Sequence, residues 1–231
     1  SNSSTVLYQG SLASDPWYST VDEFDARLKA IGLSAAPAAE HVAEPEDVAE
    51  LLMATRQAAD ALGICFHVGS QAMTPFAYVQ ALERVRIAIG EASVVIDMID
   101  VGGGFPSVYP GMEPPPLEDY FQIIHQNFYN LPIAYNAELW CEPGRALAVD
   151  GCSILTQVHL RKDRTLYIND GIFGTLGELV YLKLRVKLRA HRKGGQPIPG
   201  PMGDFTLYGP TCDPVDVMPG VWRFAGNWPA L

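Results

Sequence analysis

Lysine is scarce in this 231-residue chain: Lys29, Lys162, Lys183, Lys187 and Lys193 are the whole set, and none stands at the end of an early apolar run. Basic residues number 16 against 26 acidic ones, a net charge of -10 with pI near 4.9. Nucleic acid and anionic membrane both reward a basic surface, so neither is expected as a partner. No apolar run approaches the ~20 residues that span a bilayer. The opening Ser1 to Thr5 lacks a basic segment followed by an apolar one, so a cytoplasmic location is expected. Cys65, Cys141, Cys152 and Cys212 show no Cys-x-x-Cys spacing, which argues against a disulfide framework and a zinc site; no metal is expected. Three of the four are expected to be buried small hydrophobes. What is present is a globular balance, 48% hydrophobic with 18% charged residues.

Apolar periodicity divides the chain. Residues 21–31, with Phe24, Leu28 and Ile31 on one face, predict an amphipathic helix, followed by an Ala/Pro loop. Pro45-Glu46-Asp47 reads as a helix start, with proline in the first turn and acids at the positive end of the dipole. Then come a strand over 64–68, a helix over 76–90, a strand over 94–101, a helix over 117–129 and a strand over 137–141. Strand alternating with helix predicts a parallel sheet, and polar motifs just after its strands would line the rim of a (β/α) barrel. Beyond Arg145 the texture changes to short β-like runs at 146–149, 152–160, 165–168, 180–189 and 205–208, separated by Gly, Pro and Asp. The boundaries expected are therefore a barrel portion over 1–145 and a β-rich domain over 146–231. The basic stretch 183–193 reads as a half-exposed strand, because Leu184, Val186 and Leu188 alternate.

Four motifs occur in order: His67-Val68-Gly69-Ser70-Gln71, Gly102-Gly103-Gly104, Cys141-Glu142-Pro143-Gly144-Arg145 and Gly209-Pro210-Thr211-Cys212-Asp213. Read singly, each has a bland alternative. A glycine run is more often a tight turn, His67 after a buried strand a hydrogen-bonded core residue, and Glu142 a rim carboxylate paired with Arg145. Gly209 to Asp213, the most discriminating of the four, has as its lesser alternative a Gly/Pro turn with a buried cysteine, and Asn169-Asp170-Gly171 is by itself a type I′ hairpin signal. Read together, a glycine run lets backbone N–H groups approach a phosphate, and Arg145 adds a bidentate cation.

The combination, over residues 45–220, resembles the ornithine/diaminopimelate/arginine decarboxylases of the alanine-racemase-like fold, which use pyridoxal 5′-phosphate (PLP). The resemblance implies an α/β fold, a partial (β/α)8 barrel followed by a β-rich domain. It implies a homodimer with shared active sites that decarboxylates a basic L-amino acid, ornithine or lysine, to a diamine for polyamine synthesis. It places His67 against the PLP ring and Glu142 at the pyridine nitrogen. Ser70, Gly102, Gly103, Gly104, Gly144 and Arg145 fall around the phosphate, Cys212 is the catalytic cysteine that guides reprotonation, and Asp213 reads the substrate's distal amine. Diaminopimelate decarboxylases carry a Cys-Glu-Ser type motif where this chain has Thr211-Cys212-Asp213.

Several family positions differ. The anchoring lysine is missing, Glu40-His41-Val42 stands where a lysine is common, and Asp216, that lysine's partner across the dimer, is expected to lack a partner. A second substrate aspartate falls on Leu182, and the family's Gly-Ala-Tyr segment is absent, so the chain reads as incomplete. Three rivals follow: a diaminopimelate decarboxylase, a non-catalytic homologue that binds a protein partner, and a barrel for a phosphorylated sugar. The last would not explain Cys212-Asp213.

Overall fold

A computed structural model describes residues 45–192 and 195–225, together with the backbone of 4–9. The helix predicted over 21–31 lies outside the described residues, as do Lys29 and Lys193. The chain divides into two compact units. The first takes in the chain through Ser107 and residues 114–149; the second takes in 108–113 and the chain from Asp150 onward.

In the first unit β1 (Ser4–Gln9), β2 (Ala61–Phe66), β3 (Met98–Asp100) and β4 (Glu138–Trp140) pair in that order, all parallel. Parallel strands are covered on both faces, and β2 is correspondingly buried from Leu62 to Phe66. Helix α1 (Pro45–Arg56) starts at the proline with Glu46 and Asp47 in its first turn, and buries Ala49, Leu52 and Thr55. Helix α2 (Phe76–Ala92) buries Tyr78, Leu82, Val85 and Ile89 at spacings of three and four, and stops at Ser93, which is left-handed with φ 51°. Helix α3 (Leu117–Phe128) buries Tyr120, Ile124 and Phe128. Their common core centres on Leu62, Ile96, Ile99 and Val101, each fully buried. At the amino ends of the strands Asp97 accepts from Arg56 (2.9 Å) and from the Leu62 backbone N–H (2.8 Å), tying α1 to the sheet.

The second unit holds β5 (Val158–Lys162), β6 (Thr165–Ile168), β7 (Met202–Tyr208) and β8 (Trp222–Ala225). Pairing is antiparallel for β5/β6, parallel for β6/β7 and antiparallel for β7/β8. Leu166, Ile168, Leu179, Leu184, Phe205, Leu207, Met218, Trp222 and Phe224 form its core. Among the described residues no helix is long and apolar enough to cross a membrane.

Three local expectations are corrected. Residues 146–149 are not β-like: Gly144–Ala148 form helix α4, continued by a 3₁₀ turn, because Arg145-Ala146-Leu147-Ala148 are strong helix formers placed after Pro143. Residues 180–189 hold no strand: α5 (Glu178–Tyr181) is followed by Lys183 at φ 51°, and the alternation buries Leu184 with no ladder partner. The hairpin turn is Asp163-Arg164 between β5 and β6, not Asn169-Asp170-Gly171. Asp170 instead accepts the N–H groups of Gly171 (2.8 Å) and Thr175 (3.1 Å), closing a turn towards α5.

Candidate cofactor site

Three loops leave the carboxyl ends of β2, β3 and β4, and hydrogen bonds join them in pairs. Gln71, buried and left-handed at φ 58°, donates from Nε2 to the Ser107 carbonyl (2.5 Å) and accepts the Ser107 N–H at Oε1 (3.1 Å). The Ala72 N–H donates to the Gly104 carbonyl (2.9 Å), and the Glu142 N–H to the Gly102 carbonyl (2.8 Å). Ser107 Oγ donates to the Arg145 carbonyl (3.4 Å). Two tyrosines brace the loops from the helices: Tyr78 Oη donates to the Gly103 carbonyl (2.9 Å) and Tyr120 Oη to the Ala72 carbonyl (2.7 Å). A buried phenol needs an acceptor, and these two find theirs on the loop backbones.

The glycine run is fixed by close approach. Gly102 is left-handed at φ 65°, and a Cβ there would fall on the Phe66 carbonyl oxygen. Gly104 has φ 99°, and its Cβ would stand 2.5 Å from the Gly69 carbonyl oxygen. A Cβ on Gly103 would meet the Glu142 carbonyl oxygen at 2.9 Å and His67 Nε2 at 3.3 Å, so all three loops converge on Gly103. The Gly69 N–H donates to His67 Nδ1 (2.8 Å), which leaves Nε2 as the protonated nitrogen of a neutral ring. His67 and Arg145 are half-buried, whereas Ser70, Glu142 and Gly144 are exposed.

The carboxylates of Asp100 and Glu142 give this edge of the sheet a negative field. Burial, followed by the charges of Asp100 and Glu142 and a hydrogen bond to Asp100, pushes the Cys65 thiol up to about 12. Burial and the same two carboxylates also raise Cys141. Cys65 is the single buried cysteine; Cys141, Cys152 and Cys212 are exposed, against the expectation of three buried. Cys141 follows β4, the last strand in the order of the four-stranded sheet, and Cys152 follows the 3₁₀ turn.

Cys212 and Asp213 belong to the second unit, where Cys212 has φ 60° and both are exposed. Asp216 is a buried residue, 1% exposed, whose carboxylate accepts from Ile172 and Thr211 within the chain. Leu182 packs against the core of the second unit, as its apolar side chain dictates. Sequence reasoning missed Tyr78, Ser107, Tyr120 and the structural part of Gln71. The available signal was a tyrosine on the buried face of each of two apolar helices.

A parallel sheet with glycine-containing loops converging at the carboxyl ends of its strands defines a cofactor-binding (β/α) protein. Residues 40–149 match the family described as pyridoxal-dependent decarboxylase, pyridoxal binding domain. The lysine/ornithine decarboxylase of Selenomonas ruminantium is 32% identical over 181 residues, covering 75% of this chain and 44% of that protein. The antizyme inhibitor 2 of Xenopus laevis is 29% identical over 195 residues, 72% of this chain and 40% of that protein. The structure of lysine/ornithine decarboxylase with cadaverine from Vibrio vulnificus superposes with a TM-score of 0.63 at 24% identity, over 83% of this chain and 52% of that one. Residues 40–149 carry the pyridoxal-binding domain of the PLP-dependent decarboxylase family; the fold is part of a (β/α)8 barrel followed by a β-rich domain, and the chain spans less than half the length of these two curated relatives.

The residues present suit PLP at three of its four points. A backbone cradle that a Cβ would fill and the Arg145 guanidinium suit a phosphate, the Glu142 carboxylate suits a pyridinium N–H, and the His67 imidazole suits a ring face. The fourth point, a lysine for the aldehyde, has no candidate among the described residues of the first unit, since Lys162, Lys183 and Lys187 all lie in the second.

Proposed function

We propose that this chain is the greater part of the PLP- and substrate-binding apparatus of a decarboxylase that converts ornithine or lysine to the corresponding diamine and CO2. PLP, when bound, supplies an electron sink for the bond that breaks at the substrate Cα. Arg145, Gly144, Ser70 and the Gly102–Gly104 backbone hold its phosphate, and His67 backs its ring. Glu142 keeps the pyridine nitrogen protonated, which requires the carboxylate to stay ionised beside it. Cys212 carries the proton returned to Cα, and Asp213 pairs with the distal ammonium, an interaction that a diaminopimelate carboxylate would not make. The boundaries 1–145 and 146–231 separate the PLP-binding portion from the β-rich domain. The working protein is a cytoplasmic homodimer in which Cys212 and Asp213 reach the partner's PLP. The observation that supports this reading is the convergence of His67, Gly103 and the Glu142 backbone at one point above the sheet.

A second reading is favoured by the lysine complement: a non-catalytic homologue in the manner of the antizyme inhibitor it resembles, which keeps the fold to bind a protein. One experiment separates the two. Full-length protein is titrated with PLP, reduced with borohydride, mapped, and assayed for CO2 release from ornithine, lysine, arginine and diaminopimelate. A phosphopyridoxyl label on a lysine of the barrel, with turnover of ornithine or lysine, supports the enzyme. PLP retention with neither label nor turnover supports the non-catalytic homologue, and activity on diaminopimelate alone overturns the substrate assignment.

A further inference from the structure

Asp216 is the one acidic residue among the buried polar side chains of the described residues, and its carboxylate joins two turns. Its Oδ1 accepts the Ile172 N–H (3.0 Å), while its Oδ2 accepts the Thr211 hydroxyl (2.7 Å) and the Thr211 N–H (3.2 Å). Its own backbone closes the loop, with the Gly209 N–H donating to the Asp216 carbonyl (2.8 Å) and the Asp216 N–H to the Asp213 carbonyl (3.0 Å). Two glycines make room for it: a Cβ on Gly171 or on Gly209 would fall on the carboxylate oxygens. The next residue after the doubly bonded Thr211 is Cys212, held at φ 60°, a conformation that costs a non-glycine residue free energy unless its surroundings impose it. Withdrawal from water works against ionisation, but the donors from Thr211 and Ile172 outweigh it and hold the carboxyl below the usual aspartate range.

We propose that Asp216 is the positioning residue of the Cys212–Asp213 turn: a buried carboxylate that binds Thr211 on one side and Ile172 on the other, and so fixes where the Cys212 thiol and the Asp213 carboxylate point. The assignment rests on the reading in which those two side chains meet the substrate. Asp216 itself touches no reacting atom. The neighbouring network is built to match, since Asp170, two residues before Ile172, pins its own turn through Gly171 and Thr175. Both turns that Asp216 joins are therefore fixed at each end.

The test reads the turn without requiring turnover. In the full-length protein Cys212 is alkylated with iodoacetamide and its rate measured by peptide mapping against Cys152, exposed in the same unit, and Cys65, buried in the other. Asp216→Asn places an amide N–H against one set of donors and should raise the Cys212 rate relative to Cys152 by about threefold or more, the scale of one net hydrogen bond lost from the closed turn. Because that variant also removes a charge near the thiol, Thr211→Val and Thr211→Ser are run beside it. Valine, which leaves the charge in place, should raise the ratio in the same direction, and serine, which keeps the hydroxyl, should restore it. Hydrogen exchange over β6 and β7 must remain at parental protection, so that loosening of the turn is separated from unfolding of the unit. An unchanged Cys212 ratio in Asp216→Asn with β6 and β7 protected overturns the assignment, as does a serine variant that behaves like valine. Should Asp216→Asn fail to fold, the valine–serine pair decides alone. Failure of the decarboxylase reading appears elsewhere, as loss of PLP binding or turnover with these ratios intact.

Discussion

The two units fix their functional turns by different balances of neutral and charged groups. In the first, three neutral side chains bond to loop backbones, Tyr78 to Gly103, Tyr120 to Ala72 and Gln71 to Ser107 in both directions, and a single carboxylate joins them, Asp100 accepting the Gly102 N–H at 2.8 Å. In the second, two carboxylates gather the donors, Asp170 for its own turn and Asp216 for the Thr211 turn. The difference follows from what surrounds each turn. The loops after β2 and β3 lie over a large apolar core, where a charge without a cationic partner is costly and a phenol or amide is not. The Cys212 turn carries six exposed residues in succession, 210–215, over a smaller core, so an ionised acceptor bridging several N–H groups gains more than it loses. The neutral braces do not titrate in the usual range, whereas the Asp216 brace weakens as its carboxylate takes up a proton in acid.

The largest expected effect falls on the first unit. Ile99 is fully buried at the centre of β3, and Ile99→Ala should destabilise that unit by about 3 kcal/mol through lost transfer energy and a residual cavity. Hydrogen exchange resolved by segment should show faster exchange in β2, β3 and α2, with β6 and β7 unchanged. Equal acceleration in both units would mean that they unfold as one. Next is Arg145→Ala, expected to weaken PLP binding by about 2 kcal/mol, roughly thirtyfold, as a charge-assisted phosphate contact is removed. Fluorescence titration checks it, and unchanged affinity removes Arg145 from the proposed phosphate set.

How far each unit was legible in the sequence follows the same division. The parallel half reads well because a doubly covered strand is an apolar run and a packed helix shows a period near 3.6. Residues 45–56, 76–92 and 117–128 fall close to the helices expected there. Strand bounds were less legible: β2 begins at Ala61, ahead of the run expected over 64–68, whereas in 94–101 burial extends to Ile96 and Val101 while the ladder covers only Met98–Asp100. In the second unit, Leu184 and Val186 alternate because they pack on the core, yet no strand lies beside them, and periodicity reports burial rather than pairing. The loops that carry the candidate site residues stood out through Gly, Glu and Arg. Their braces did not, because Tyr78 and Tyr120 look in sequence like two more core aromatics, and in the second unit nothing in the sequence showed that Asp216 binds Thr211 and Ile172.

A smaller effect is expected at Tyr78. Tyr78→Phe retains the stacked contact with Phe105, whose ring centroid lies 5.1 Å away, and removes only the bond to the Gly103 carbonyl. It should cost the first unit about 1 kcal/mol, with the buried carbonyl left short of one donor. If the glycine loop shapes the phosphate cradle, PLP affinity should fall with it, while the Cys212 alkylation ratio stays parental. Loss of stability with unchanged PLP affinity would make Tyr78 a core residue only.

The smallest effect at neutral pH is the one that separates the units by titration. Asp216 is depressed in the folded state, so its contribution is present above the unfolded aspartate value of about 3.9 and is lost as pH falls through its folded value. Cys65 is raised, so its contribution is complete below the ordinary thiol value and is lost as pH climbs from there towards about 12. Tyr78 and Tyr120 are raised as well, chiefly by burial, and act in the same direction. Acid should therefore open β6 and β7 before β2 and β3, and alkali should open them in the reverse order. Segment-resolved exchange, measured at matched intrinsic rates across both limbs, checks the order. Asp216→Asn should flatten the acid limb of the second unit alone, and Cys65→Ala the alkaline limb of the first alone. If one variant moves both limbs, the two units are coupled in stability, and the contrast between neutral and charged bracing does not govern how the protein comes apart.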